Sequence, residues 1–239
     1  MGILYFNTLI REIRPAPRKV KYSGLYAKAF PAEDGLKIRA LIQKVKRGDD
    51  LRPHQSRRLV NRKLLQNDGM LNDWSVHHLH PDANGSGEVL MCHVTPDTLY
   101  AIGFWPHDSW VSKDIIVALI DAWPKKFERY RMKGLDSDGL TEAEHQNLRR
   151  KNANTLFVHP TRGTYAPLGG GTTAAGSNIA ATTEYDLLAT RVQGIEEQTQ
   201  QQLEKLGVAE TSRLVLKFDG HEPIAVFEPS TSRTFPLLK

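Results

Sequence analysis

Three histidines fall within four positions in the stretch L-N-D-W-S-V-H-H-L-H-P, residues 71–81. Side chains alternate between the two faces of a β-strand, so His78 and His80 are predicted to share one face while His77 lies on the other. His107 follows a later predicted strand, in a loop that can bring its ring back toward the first strand. The sequence therefore predicts a cluster of three imidazoles at one end of a sheet.

A group of imidazoles can cleave RNA without a metal. One ring removes the proton from the 2′-hydroxyl group and another protonates the 5′-oxygen leaving group, and an imidazole pKa of about 6.5 suits both steps. The preferred hypothesis is a ribonuclease-like hydrolase that needs no cofactor, a bacterial toxin or phage-defence effector by class. In this hypothesis His78 and His80 exchange the protons and His107 assists them as the third catalytic residue.

The same three histidines are also candidate ligands of a zinc ion. Catalytic zinc is commonly held by three protein ligands and keeps a fourth position for a water molecule, whose pKa falls to about 7. A zinc-dependent hydrolase is therefore the first alternative, with His78, His80 and His107 as ligands. The carboxylates that could act as a base or a fourth ligand are Asp82, Glu88 and Asp108.

Two further interpretations concern the same stretch. The ββα-metal nuclease finger would need an asparagine and a helix in the region of Cys92, where the sequence has a cysteine and predicts a strand. The other interpretation is a non-catalytic module that binds nucleic acid or protein, in which His78 and His80 are hydrogen-bonded, half-buried side chains. This second alternative stays open.

Positive charge is concentrated near the N-terminus. Residues 1–63 hold 16 Lys and Arg against 5 Asp and Glu, whereas residues 64–239 hold 16 against 22. Lysine and arginine contacts to phosphates release counterions and give affinity for any polyanion, so RNA is the expected partner of the basic third. Solvated helix faces would give the same composition. The predicted RNA-binding side chains are Arg57, Arg58 and Arg62, together with Arg162.

A glycine-rich segment, residues 161–178, is predicted to be a loop. Glycines allow backbone N–H groups to approach a phosphate, and the predicted helix after residue 178 would add its positive N-terminal end. The candidate phosphate-binding residues are Gly169, Gly170, Gly171 and Thr172. The segment lacks both the G-K-[ST] of a P-loop and a dinucleotide-binding fingerprint, so a flexible linker is the alternative.

The pattern of elements predicts an α+β protein with an antiparallel sheet that helices cover on one side. The predicted strands are 3–6, 74–80, 88–95, 98–105 and 154–159, of which the second to the fourth form a central meander, with a C-terminal hairpin at the end of the chain. Predicted helices span residues 33–46, a basic region after Pro53, a segment that begins after Ser112 and a long stretch from about 179 to 206. The capping box T-E-A-E, residues 141–144, predicts one more short helix.

These elements group into four segments. Residues 1–66 form a basic helical region, and residues 67–160 form the histidine-bearing sheet with its helix. Residues 161–178 are the glycine-rich loop. Residues 179–239 hold the long helix and the hairpin, and the polar run E-E-Q-T-Q-Q-Q in that helix suggests a contact surface for a protein partner.

The composition is that of a globular protein, with 40% hydrophobic residues among 239. No run of apolar residues reaches the roughly 18 needed to span a membrane, and the N-terminus lacks the features of a signal peptide. The single cysteine, Cys92, excludes an internal disulfide and a cysteine-rich zinc cluster. The sequence therefore predicts a cytoplasmic protein that does not bind membranes.

The run from residue 71 to residue 124, with N-D-W-x-x-x-H-x-H and a later H-x-x-W element, resembles a family of uncharacterised bacterial proteins. In the order of its helices and its histidine-bearing antiparallel sheet, the chain is also similar to the RNase toxins of the barnase, EndoU, colicin and RelE class. The resemblance implies that His78, His80 and His107 are the working residues of an RNA-cleaving enzyme. His77 and His93 lie outside the shared pattern.

Overall fold

The structure is a computed structural model that describes residues 2–28, 35–56, 68–82, 87–135, 138–220 and 222–237. The chain divides into two compact units, Met1–Thr182 and Thr183–Lys239. Each unit combines helices with at least one antiparallel sheet. The predicted mixture of helices and largely antiparallel sheets is confirmed.

The first unit contains the candidate site. Its described helices and strands are α1 (Gly2–Arg11), β1 (Lys19–Tyr22), α2 (Gly24–Lys28), α3 (Gly35–Arg47), a 3-10 helix (Arg52–His54), α4 (Gly69–Trp74), β2 (His77–Leu79), β3 (Glu88–Val94), β4 (Thr98–Pro106), α5 (Lys113–Ala122), α6 (Pro124–Phe127), a 3-10 helix (Glu128–Tyr130), α7 (Glu142–Arg150), β5 (Phe157–His159) and β6 (Gly163–Tyr165). Helix α8 (Ile179–Gln200) begins at the end of this unit, and its larger part belongs to the second unit.

The main sheet has the strand order β1-β4-β3-β2. Strands β2, β3 and β4 pair antiparallel with their sequence neighbours, and β1 pairs parallel with β4. His78 lies opposite Met91 in this register, and Leu79 lies opposite Leu90. The side chain of His78 is therefore on the Met91 face of the sheet.

Helices cover both faces of the sheet, so the predicted one-sided arrangement is wrong. On one face Val89, Met91 and Ile102 pack with α5, and on the other Leu90 and Cys92 pack with α3. The five residues Val89 to His93 are all buried, because apolar side chains cover β3 on both faces of the sheet. A continuous apolar run of this kind is the signature of a strand that is covered on both faces.

Several predicted boundaries also need correction. Residues 3–6, predicted as a strand, belong to the amphipathic helix α1. The predicted strand 74–80 begins only at His77, since Trp74 ends α4 and Ser75 adopts the left-handed conformation that terminates that helix. The glycine-rich segment 161–178 contains strand β6, which pairs with β5. These short elements depend on pairing partners that lie elsewhere in the chain.

The second unit consists of most of α8, a short helix and a three-stranded antiparallel sheet. The remaining elements are α9 (Leu203–Leu206), β7 (Val215–Asp219), β8 (Glu222–Glu228) and β9 (Arg233–Pro236). The strand order β7-β8-β9 adds one strand to the predicted hairpin, and residues 201–202 separate α8 from α9 within the predicted long helix. None of the helices in the described ranges combines the length and the apolar character needed to cross a bilayer.

Candidate metal centre

The structure brings the three predicted histidines together. The ring centroids of His78 and His80 are 5.6 Å apart, those of His78 and His107 are 5.7 Å apart, and those of His80 and His107 are 5.0 Å apart. One ring nitrogen from each residue lies within 4.8 Å of the other two. Period-two alternation places the first two on one face of β2, and the loop after β4 carries the third.

The innermost ring of this histidine cluster is that of His78. The residue is 8% exposed, and its Nε2 atom is buried without a hydrogen-bond partner. Burial, followed by the neighbouring rings of His80 and His107, lowers the pKa of His78 to about 3. His78 is therefore a neutral imidazole at pH 7, and a buried polar atom of this kind normally has a partner.

Trp110 forms one wall of the cluster. Its ring packs edge-on against both His78 and His107, with centroid distances of 4.7 Å in each case. On the other side the cluster opens outward, since His80 is half-buried and His107 is exposed. The arrangement has one dry side and one accessible side.

A buried ion pair holds Trp110 in place. The Nη1 atom of Arg149 donates to the carbonyl oxygen of Trp110 at 2.7 Å, and its Nε atom donates to Asp73 Oδ2 at 2.6 Å. The same guanidinium lies 3.9 Å from the ring centroid of Trp74. Burial raises the pKa of Asp73, and the nearby Arg149 partly offsets that rise. Asp73 and Trp74 of the N-D-W motif thus position Arg149, which in turn holds the backbone of Trp110.

His54 fixes the backbone at His80. The Nδ1 atom of His54 lies 2.8 Å from the carbonyl oxygen of His80, and the N–H of His80 donates to the carbonyl oxygen of His54. Since a carbonyl can only accept, Nδ1 carries the proton, and Nε2 accepts from Lys44 Nζ at 3.0 Å. This pair of contacts sets the end of β2.

The donor set fits a zinc ion after a small adjustment. In a tetrahedral site with Zn–N bonds of about 2.0–2.1 Å, the ligand nitrogens lie about 3.3 Å apart. The observed spread of up to 4.8 Å is wider, so the rings would have to close by at most about 1.5 Å. His107 is exposed on its loop and can supply that movement, whereas packing holds His78.

Within the described residues, no carboxylate belongs to the ligand-distance group. Asp82 lies 3.4 Å from Lys37 Nζ, and Glu88 pairs through its backbone with Pro106 where β3 begins and β4 ends. Asp108 is exposed beside His107. The predicted roles of these carboxylates as a base or a fourth ligand stay predictions.

Two other histidines of the sheet lie outside the cluster. His77 is on the opposite face of β2, and burial lowers its pKa to about 4. His93 is held by Ser75, whose carbonyl oxygen lies 2.9 Å from Nδ1, and its ring packs against Phe127. Neither ring belongs to the three-histidine group.

Of the predicted phosphate-binding arginines, the structure describes Arg162 alone. Arg57, Arg58 and Arg62 lie outside the described residues. The Nε atom of Arg162 donates to Asp121 Oδ1 at 2.8 Å, near the C-terminal end of α5. Trp110 precedes the N-terminal end of α5, whereas Arg162 pairs with a residue near its C-terminal end.

The glycine-rich segment is bound to the rest of the first unit. The N–H groups of Gly169, Gly170 and Gly171 donate to carbonyl oxygens, and that of Thr172 donates to Asn154 Oδ1 at 2.6 Å. A Cβ atom at Gly169 would lie only 1.9 Å from the carbonyl oxygen of Leu71, so a glycine is required there. The four backbone donors that a phosphate cradle would use are therefore already engaged.

Sequence reasoning missed the polar supports of the site. Asn72 donates through Nδ2 to Thr172 Oγ1 and accepts from Asn178 Nδ2 at 2.9 Å. Together with Arg149 and His54, these residues fix the elements on which the histidines lie. The only sequence signal for these supports is the pair of polar residues Asn72 and Asp73 beside the apolar Leu71 and Trp74.

Comparison with known proteins identifies no relative: no protein-family model, curated protein or solved structure matches the chain. The geometry of the site is therefore the basis for assigning a function to the protein.

Proposed function

We propose that the protein is a zinc-dependent hydrolase whose metal is held by His78, His80 and His107. Two observations carry this proposal: the Nε2 atom of His78 is buried without a partner, and one ring nitrogen of His78 lies within 4.8 Å of a nitrogen of each of the other two imidazoles. A metal ion would give that nitrogen the partner that it lacks. Zinc with three such ligands supplies hydrolytic chemistry by lowering the pKa of a coordinated water.

Each of the three histidines has a different role in this proposed mechanism. His78 lies opposite Met91 in the sheet and packs against the ring of Trp110, and its depressed pKa keeps it neutral and able to donate a lone pair. His80 is fixed through its backbone by His54. The exposed His107 leaves the outer side accessible for a substrate.

The metal-free ribonuclease remains the second candidate because the rings of His80 and His107 lie 5.0 Å apart on the accessible side. A proton-exchanging pair that includes His78 is less well supported. A general acid must carry its proton near pH 7, whereas burial and two neighbouring imidazoles keep His78 unprotonated. In that case His80 and His107 would be the pair, without His78.

The test is zinc stoichiometry combined with hydrolysis. We expect one zinc per chain by elemental analysis, and metal-dependent turnover of 4-nitrophenyl acetate or bis(4-nitrophenyl) phosphate that EDTA abolishes and zinc restores. His107→Ala changes an exposed side chain, so it should fold and yet lose the zinc. Ser109→Ala, two positions away in the same loop, is the matched control and should keep it.

RNA cleavage that persists in EDTA and is lost in His107→Ala would favour the metal-free mechanism. A folded wild-type protein that contains much less than one zinc ion per chain would overturn the proposal.

A further inference from the structure

A cavity lies on the other side of β2 from the histidine cluster. Its volume is about 650 Å³, within the range typical of small-molecule sites. Helix α1, the chain from Glu12 to Arg18, the end of α4 and the turn between β3 and β4 line it, and His77 reaches it from β2. Its apolar lining comes mainly from Leu9, Ile10, Ile13, Leu71 and Val94.

A buried cation, Arg18, lies in the wall of this cavity. Arg18 is 8% exposed, and its guanidinium donates only to backbone carbonyls: Nε to Thr95 at 3.0 Å, and Nη1 to Arg14 at 2.9 Å and Ala16 at 3.1 Å. The Nη2 atom makes none of these bonds. Among the residues that the structure describes, no acidic side chain pairs with Arg18.

Arg18 differs in this respect from Arg149, whose side chain is also largely removed from solvent. Arg149 has a carboxylate partner, Asp73, at 2.6 Å. A buried charge without a counter-ion is costly, and burial accordingly lowers the pKa of Arg18. The carbonyl oxygens fix the position of the Arg18 guanidinium group, but they carry no negative charge to neutralise it.

The charged groups around the cavity are mostly positive. Arg14 is exposed at the rim, and Arg18 lies deeper in the wall. Glu12 is the acidic residue of the lining, and its carboxylate lies 3.8 Å from Arg52 Nε. The cavity therefore combines an apolar wall with two guanidinium groups, of which one is buried.

We propose that this cavity binds a small amphiphilic carboxylate, with its anionic head at Arg18 and Arg14 and its hydrocarbon tail against Leu9, Ile10 and Ile13. The Nη2 atom of Arg18 is the nitrogen left to donate to a carboxylate, because Nε and Nη1 already donate to carbonyl oxygens, and Arg14 can donate to the second carboxylate oxygen. Such charge-assisted bonds are stronger than neutral ones. The tail would remove apolar surface of α1 from water. The proposal is independent of the zinc centre, which lies on the opposite face of β2.

The experiment is a calorimetric titration of the full chain in EDTA with decanoate, kept below the concentration at which it forms micelles. We expect one site per chain, and binding at least tenfold weaker for decan-1-ol, which lacks the charge, and for inorganic phosphate, which lacks the tail. Equal binding of decan-1-ol would overturn the role of the arginines, and equal binding of phosphate would overturn the role of the apolar wall.

Variants test the same assignment. Arg18→Gln should weaken decanoate binding at least tenfold, while Arg150→Gln, an exposed charge on α7, should leave it unchanged. Because Arg18 also donates hydrogen bonds to three carbonyl oxygens, its replacement can disturb folding. Leu9→Trp is therefore a second variant, which fills the cavity and leaves Arg18 in place. Unchanged decanoate affinity in Leu9→Trp would contradict the proposal, even where Arg18→Gln fails to fold.

Discussion

His77 and His78 are neighbours in sequence, yet the two faces of β2 give their rings different surroundings. His78 meets two further imidazoles and the edge of Trp110, with a buried nitrogen that lacks a partner. His77 faces a cavity whose charged lining is mainly arginine. The identity of the side chain is the same on both faces, so the groups that surround each ring decide its chemistry, and we propose that the His78 face binds a cation and the His77 face an anion.

The largest expected effect on stability comes from removing Arg149, which supports the His78 face. Arg149→Met leaves the carboxylate of Asp73 buried without a counter-ion, so the free energy of unfolding should fall by about 3–5 kcal/mol. Zinc affinity should also drop, by about 10–100-fold, since Trp110 loses its anchor. Urea denaturation and a zinc competition titration measure the two effects.

Decanoate affinity serves as the control for Arg149→Met. It should stay within about threefold of the wild type, because the cavity lies on the other face of β2. Equal losses of zinc and decanoate affinity would show that the two faces are not independent.

A second prediction separates burial from metal binding. Burial keeps the pKa of His93 at about 4, so its ring stays neutral in the folded protein, whereas the unfolded chain binds a proton below about pH 6.5. The unfolded state therefore binds more protons in this window, and stability falls as the pH decreases from about 6.5 to 4.

His93→Gln removes that contribution. The loss of unfolding free energy between pH 7 and pH 4.5 should be smaller in this variant by about 2 kcal/mol, measured by urea denaturation in EDTA. The other buried histidines contribute equally to both proteins and cancel. The same pH dependence in the variant and the wild type would refute the assignment.

A smaller effect is expected from removing the hydrogen bond between His54 and the backbone of His80, at the end of β2. His54→Leu removes the hydrogen bond to the carbonyl oxygen of His80, which should cost about 1 kcal/mol of stability. Zinc affinity should fall by less than tenfold, because the ligand itself remains. Lys44→Met, which removes only the partner of His54 Nε2, is the control and should preserve zinc affinity. A zinc affinity as low as that of a ligand variant would make His54 part of the site itself.

The smallest effect is expected at Asp108. Its carboxylate is exposed and lies outside the ligand-distance group, so Asp108→Asn should change zinc affinity by less than about fivefold. A loss of a hundredfold or more in the zinc titration would instead make Asp108 the fourth ligand.

The sequence was sufficient to locate the histidine cluster because its geometry is local. Alternation along a strand puts His78 and His80 on one face, and the short connection through β3 and β4 returns His107 to the same end of the sheet. The same rule failed at Trp74, where the helical turn of α4 interrupts the predicted strand. A short helix that packing stabilises carries no periodicity by which it could be recognised.

The supports of the cluster and the cavity at Arg18 depend on pairings between distant residues. Asp73 and Arg149 are 76 positions apart, and Arg18 bonds to the carbonyl of Thr95 across 77 positions. Arg149 is one of several charged residues on a polar helix, and its sequence context does not mark it as buried. Long-range contacts of this kind follow from the topology, which the pattern of elements leaves open.

The most direct test is a comparison of zinc affinity between His78→Gln and His77→Gln, each measured by competition with a chromogenic chelator. His78→Gln should lose at least a thousandfold in affinity, whereas His77→Gln, changed at the adjacent position on the opposite face, should remain within about fivefold of the wild type. Equal affinities in the two variants, or a greater loss in His77→Gln, would contradict the assignment of the metal to the His78 face.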